Sequence, residues 1–239
     1  MKIKAVLFDL DGTLLPMDND LFVKVYFGKL GKTLAEYGIE GETFKKALWG
    51  GISAMKANDG KATNEVIFWQ AFESVTGKLS PHIRSAFDYF YSEIFPSVKE
   101  VCGKNPLARE VLDMLKGKGL KVALATAPVF PETATRQRAA WGDIYFSDFD
   151  LVTTYENVVH TKPSLAYYRD LANSLGVEPE ECIMIGNDTN DDMAAAELGM
   201  KVFLITDCLI NRENIDISKY PNGTFADMIE YLKRELCLK

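Results

Sequence analysis

The sequence is short of several things, and each shortage excludes something. Four cysteines are scattered through 239 residues with no C-x-x-C pair. That excludes a thiolate zinc site of ordinary spacing. A chain this long buries a core without cross-links, so Cys102, Cys182, Cys208 and Cys237 are expected to be reduced thiols. No apolar run approaches the roughly 18 residues of a membrane span. The run behind the basic start Met1-Lys2-Ile3-Lys4 stops at Asp9, too early for a signal core. Positive charge is in deficit: 27 Lys and Arg stand against 34 Asp and Glu, a net charge of -7. This balance argues against a nucleic-acid partner and against electrostatic docking on an anionic membrane. Internal repeats and low-complexity tracts are absent. The expectation is a soluble, cytoplasmic protein.

What is present is an ordinary globular balance, 47% hydrophobic and 26% charged. At about 150 residues per domain the length suits one domain or one and a half. Five short apolar runs have the length of buried strands: Ile3–Phe8, Lys121–Ala125, Leu151–Thr153, Cys182–Ile185 and Lys201–Ile205. The third is the weakest. Helical periodicity fills Pro106–Lys118, Glu132–Trp141, Ser164–Leu175 and Asp191–Leu198 between them. Strands alternating with helices predict an α/β fold, a Rossmann-like parallel sheet with helices on both faces.

The stretch between the first two runs breaks that rhythm. Residues 21–37 and 65–75 repeat apolar side chains at helical spacing, and Gly50-Gly51 and Asn58-Asp59-Gly60 look like breaks. Residues 17–100 hold 14 of the 27 aromatic residues. This predicts an inserted α-helical unit over 17–100, with a core formed by 1–16 and 101–239. The aromatics serve either as the insert's own packing or as a lid over a site.

Four motifs carry chemistry, each behind a strand or opening the helix after one. Phe8-Asp9-Leu10-Asp11-Gly12-Thr13 offers two acids followed by a residue that allows a sharp turn. Ligands of open α/β sheets bind beyond this end of the strands. Alone it could also be an Asp-Gly turn capping a strand. Leu124-Ala125-Thr126-Ala127 offers a hydroxyl for an oxyanion. His160-Thr161-Lys162-Pro163 offers a fixed cation for a phosphate, with Pro163 expected in the first turn of a helix. Gly186-Asn187-Asp188-Thr189-Asn190-Asp191-Asp192 crowds three carboxylates, which repel one another unless a hard cation such as Mg²⁺ is present. Gly31-Lys32-Thr33 only mimics a phosphate loop, since Tyr26 stands where that loop needs glycine. Asp188 to Gly199 fails as a calcium loop, lacking its central Gly and final Glu.

Taken together, and in this order, the motifs resemble those of the haloacid dehalogenase superfamily of aspartate-nucleophile phosphohydrolases, in its phosphatase branch. Asp9-Leu10-Asp11-Gly12-Thr13 matches the D-x-D-G-T signature, Thr126 the second motif, Lys162 the third, and Gly186 to Asp192 the fourth. The helical insert resembles that family's type-one cap. The resemblance implies a Mg²⁺-dependent phosphomonoesterase acting on a small phosphorylated metabolite. Asp9 would be nucleophile and metal ligand, and Asp11 the general acid and base, with its backbone carbonyl on the metal. Lys162 would be the charge-neutralising cation, and Thr126 with Ala127 would bind the phosphoryl oxygens. Asp11 disfavours the halide-releasing branch. A phosphomutase on the same scaffold and a non-catalytic ligand-binding relative remain the alternatives.

Two departures stand out. Asn187 follows Gly186 where the family usually has Asp, so the third metal ligand is assigned to Asp188. Asn187 is the alternative ligand, and Asp192 either bridges to the metal through water or orients Lys162. Ala127 replaces a commonly polar residue, which leaves its backbone N–H. The hinges of the insert are expected at 16–20 and about 96–104. The loop Met55–Thr63, with Lys56, Asn58 and Lys61, either reaches the substrate or is simply solvated.

Overall fold

The computed structural model describes residues 2–77 and 81–237. Met1, residues 78–80 and residues 238–239 belong to the expected core and insert but lie outside the described residues. Among the described residues six parallel strands form one sheet: β1 (Ala5–Phe8), β2 (Lys121–Leu124), β3 (Leu151–Val152), β4 (Cys182–Gly186), β5 (Lys201–Ile205) and β6 (Asn222–Gly223). Their order is β3-β2-β1-β4-β5-β6. The five expected strands are present. The sixth, only two residues long, carries no apolar signature and forms by pairing with β5.

The pleat divides the core in two. On one face Val6 and Phe8 join residues of helices α5 (Pro106–Gly117), α6 (Glu132–Trp141) and α8 (Phe225–Glu235). On the other, Ala5 and Leu7 pack with Tyr167, Tyr168 and Leu171 of helix α7 (Leu165–Leu175) and with the 3₁₀ segment Met193–Leu198. Both faces of the sheet are thus covered, the usual condition of an all-parallel sheet.

Between β1 and α5 the described residues form four helices, α1 (Asn19–Ala35), α2 (Gly41–Lys56), α3 (Asn64–Thr76) and α4 (Pro81–Tyr89). A π turn at Phe90–Ile94 and a 3₁₀ stretch at Phe95–Val101 follow. Asp18 caps α1 by accepting from the Leu21 amide at 3.0 Å. The apolar faces of these helices are continuous with the first core face, through rings such as Phe22, Tyr26, Phe90 and Phe95. The two connecting segments run side by side: Met17 bridges Cys102, and the Gly103 amide donates to the Pro16 carbonyl at 2.7 Å.

Three sequence expectations are corrected here. Gly50-Gly51 does not break a helix but lies within α2, where a Cβ at Gly51 would press on the Phe68 ring at 2.5 Å. Gly51 allows close packing of α2 on α3, while a Cβ at Gly50 would meet nothing within 4 Å. Pro163 is not in the first turn of α7, because Ser164 is the cap residue and the helix begins at Leu165. The segment 191–198 is a 3₁₀ helix over 193–198 rather than an α-helix. Among the described residues no helix is long and apolar enough to cross a membrane. All four cysteines are free.

Candidate active site

The C-terminal ends of β1, β2 and β4 open onto one cavity of about 930 Å³. Asp9, Asp11, Thr126, Ala127, Lys162, Asn187, Asp188, Asp191 and Asp192 all line it. Motifs separated by more than a hundred residues converge there because the central strands are neighbours in the sheet.

Lys162 is the charge centre. It is 1% exposed and lies between two carboxylates, 2.8 Å from Asp9 Oδ1 and 2.5 Å from Asp192 Oδ1. Burial alone would strip its proton, but Asp192 and Asp9 more than offset that and hold its pKa well above the usual lysine value. The second oxygen of Asp192 accepts from the Asp188 amide at 2.9 Å. Asp192 therefore touches Lys162 with one oxygen and the fourth motif's backbone with the other. Of the two roles left open for it, this geometry suits orientation of Lys162.

Asn187 is spent on cross-linking. Its Oδ1 accepts from Thr13 Oγ1 at 3.2 Å, and its Nδ2 donates to the Cys208 carbonyl at 2.6 Å. Gly12 has φ +83°, and a Cβ there would overlap the Asn187 amide. The first motif thus turns against Asn187, which joins it to the fourth motif. Asp188 instead presents Oδ1 to the amides of Asn190 and Asp191, at 2.8 and 3.0 Å. Burial pushes its carboxyl up, those amides pull it down, and the negative charges of Asp191 and Asp9 push it up again.

That repulsion is what a bound cation would relieve. Among the described residues no group of three or more His, Cys, Asp or Glu side chains is arranged to hold a metal. Mg²⁺ asks for less, since one or two carboxylates with water and substrate phosphate commonly complete its octahedron. Asp9 and Asp188 both line the cavity, and the negative charge of Asp9 reaches Asp188, so the oxygen donors there are of the kind this ion takes. The residues present fit the ion.

Thr126 is fixed through its carbonyl, which accepts from Thr153 Oγ1 at 2.7 Å and Tyr167 Oη at 3.0 Å. Neither partner was singled out in the sequence. Nor was Arg138, which is fully buried on α6 and donates from Nη1 to Asp11 Oδ2. Its Nη2 bonds Thr135 Oγ1 at 3.2 Å, and its guanidinium lies 4.1 Å from the centroid of the Phe130 ring. The signal was present: Arg138 stands four residues after Ala134 on the buried face of α6. Asp11 Oδ1 is buried and has no hydrogen-bond partner. Burial raises the Asp11 carboxyl, against the pull of Arg138, to about 6.

The loop after α2 does not extend freely over the cavity. Lys56 lines the cavity, but Lys61 pairs with Asp59 at the surface, and Asn58 bonds Asn64 at 2.9 Å. Asn64, which belongs to no motif, is buried and donates to the carbonyls of Pro128 and His160 at 3.3 and 3.4 Å. It fastens the start of α3 to loops of the sheet.

The chain is similar to known proteins over most of its length. The chain is 27% identical to the pyrophosphatase PpaX of Bacillus velezensis, over 84% of this chain and 82% of that one. It is 26% identical to a phosphorylated carbohydrates phosphatase of Thermotoga maritima, over 83% of each. The fold matches that of CbbY from Rhodobacter sphaeroides, solved with phosphate, at a TM-score of 0.58 and 18% identity, covering 95% of this chain and 96% of that one. The family model for haloacid dehalogenase-like hydrolases matches residues 3–199. The chain belongs to the haloacid dehalogenase-like hydrolases.

Proposed function

We propose that the protein is a Mg²⁺-dependent phosphatase that hydrolyses a small phosphorylated metabolite through an aspartyl-phosphate on Asp9. The carrying observation is the convergence of Asp9, Asp11, Lys162 and Asp188 on one cavity, with Lys162 bonded to Asp9. Phosphatases among its relatives support the reading. Held by Asp9, Asp188 and the Asp11 carbonyl, the ion would neutralise phosphate charge and so admit an anionic nucleophile.

The chain's own residues then divide the work. Lys162 neutralises the phosphoryl oxygens and fixes Asp9, while Thr126 and the Ala127 amide hold those oxygens. Asp9 attacks phosphorus, the bond to the leaving oxygen breaks, and protonated Asp11 gives that oxygen its proton. Asp11, now a carboxylate, takes a proton from water as that water attacks phosphorus. Phosphate leaves and Asp9 is restored. The orphaned Asp11 Oδ1 suits a group that bonds a partner only when substrate is bound. The helical insert over 17–100 acts as a cap, closing about the paired segments near Met17 and Cys102 to exclude water.

The test is phosphate release from a metabolite panel, with and without Mg²⁺, by wild type and Asp9→Asn. Wild type should release phosphate only with the metal, and Asp9→Asn should not. Equal release by both would reject Asp9 as the nucleophile.

A further inference from the structure

The cavity extends well beyond the phosphoryl site, and the helical insert builds that extension almost without cations. Val23 and Phe27 of α1 and Trp49 and Ile52 of α2 face it, with Phe130 from the sheet side. These side chains are not sealed into the core. Trp49 is 52% exposed although its ring meets Phe27 at 5.1 Å, and the other four are half-buried. Apolar surface left facing a cavity is surface that an apolar ligand covers favourably.

The charges on the same walls point the same way. Away from the phosphoryl site the lining acids are Asp20, Glu65, Asp88 and Glu156, and the cations are Lys56 and Arg212. Arg212 is already paired with Asp20 at 2.7 Å. Lys56 is left as the one cation without an ion-pair partner on those walls among the described residues. A second phosphate there would meet more negative charge than positive. Along the apolar stretch formed by Val23, Phe27, Trp49, Ile52 and Phe130, the hydroxyls of a polyhydroxylated leaving group would lose water without replacement.

We propose that the leaving group is an apolar alcohol of aromatic size bearing no second anionic group. This rests on the phosphatase reading and narrows it to monophosphate esters of such alcohols, in preference to sugar phosphates, bisphosphates and pyrophosphate. The phosphate sits over Asp9 and Lys162, and the alcohol's apolar body lies against Phe27, Trp49, Ile52 and Phe130. The volume of about 930 Å³ accommodates such an ester.

The experiment compares kcat/KM for 2-phenylethyl phosphate, glycerol 1-phosphate, pyrophosphate and acetyl phosphate in the presence of Mg²⁺. Acetyl phosphate has a leaving group too small to reach the apolar wall, so it reports the phosphoryl site alone. Wild type should prefer 2-phenylethyl phosphate to glycerol 1-phosphate by at least about tenfold, the scale of a small apolar contact. Trp49→Ala, at an exposed position that the fold does not need, should reduce that ratio severalfold. Binding of 2-phenylethyl phosphate to the Asp9→Asn protein, read by calorimetry, should weaken with the same substitution. Acetyl phosphate turnover with equal or better use of glycerol 1-phosphate or pyrophosphate would overturn the apolar assignment and leave the phosphatase reading standing. An unchanged ratio and unchanged binding in Trp49→Ala would also overturn it. Failure to turn over any of the four, acetyl phosphate included, would reject the phosphatase reading and this inference with it.

Discussion

Arg138 is fully buried and donates to Oδ2 of Asp11, 127 residues earlier in the chain. Helix α6 thereby delivers a permanent positive charge to the group assigned as general acid and base. A charge-assisted bond of this kind fixes a carboxylate's position and favours its ionised form. Burial acts in the opposite direction and is the larger effect, and the balance leaves Asp11 at about 6.

The balance predicts a pH profile. Below about 6 Asp11 carries the proton that the leaving oxygen needs, and above it the carboxylate prevails. For an ester with a basic leaving group, kcat/KM, which reports the free enzyme, should fall with rising pH around that value. Arg138→Met removes the charge that lowers the pKa, so the midpoint should move to higher pH. Rate profiles of the two proteins check this, and a midpoint that stays put or moves down would refute it. Stability follows the same sign. The folded state holds this proton more tightly than the unfolded chain, so the contribution is full below 3.8 and is lost as pH climbs through about 6.

Lys162 bonds Asp9 and Asp192 in a buried cluster. Asp192→Ala removes one partner and should cost about 3–5 kcal/mol in urea unfolding, because a buried charge is left poorly compensated. Lys162→Met should reduce phosphate release by about 10²–10³-fold, the scale of a lost electrostatic stabiliser. Near-wild-type turnover in Lys162→Met would remove Lys162 from the mechanism.

Gly186 ends β4 against the Asp192 carboxyl, and a Cβ there would overlap it. Gly186→Ala should therefore displace Asp192 from Lys162 and lower stability by about 1–3 kcal/mol. Thermal unfolding and phosphate release should fall together. A fully active, equally stable variant would show that Asp192 is free to move.

Asn64→Ala should loosen the insert. It removes one of the bonds of Asn58 and leaves the Pro128 and His160 carbonyls without their Asn64 donor, a loss of about 1–3 kcal/mol if they stay buried. Proteolysis in the loop at 57–63 should accelerate while the sheet stays intact. Unchanged cleavage would mean that Asn64 does not fasten the insert.

Much of the core was legible before folding. Short apolar runs between amphipathic helices announce buried parallel strands, because both faces of such strands must be apolar. β6 was not legible, since Asn222 and Gly223 become a strand only by pairing with β5. Gly50-Gly51 reads as a break, yet glycine marks a chain break in one setting and, as Gly51 does, close helix packing in another. Only the neighbour, Phe68, decides between them.

The sequence by itself determined which chemical groups stand at the strand ends, and in what order: Asp9 and Asp11, Thr126, Lys162, then the acids after Gly186. These positions are local, because each is written into a strand and the turn that follows it. The tertiary structure alone decided which groups meet. It set Asp192 on Lys162, committed Asn187 to Thr13, and brought Arg138 to Asp11 from a helix that carried no motif. Such pairings depend on distances across the fold and on the burial that makes an unpaired charge costly, and no spacing along the chain encodes either.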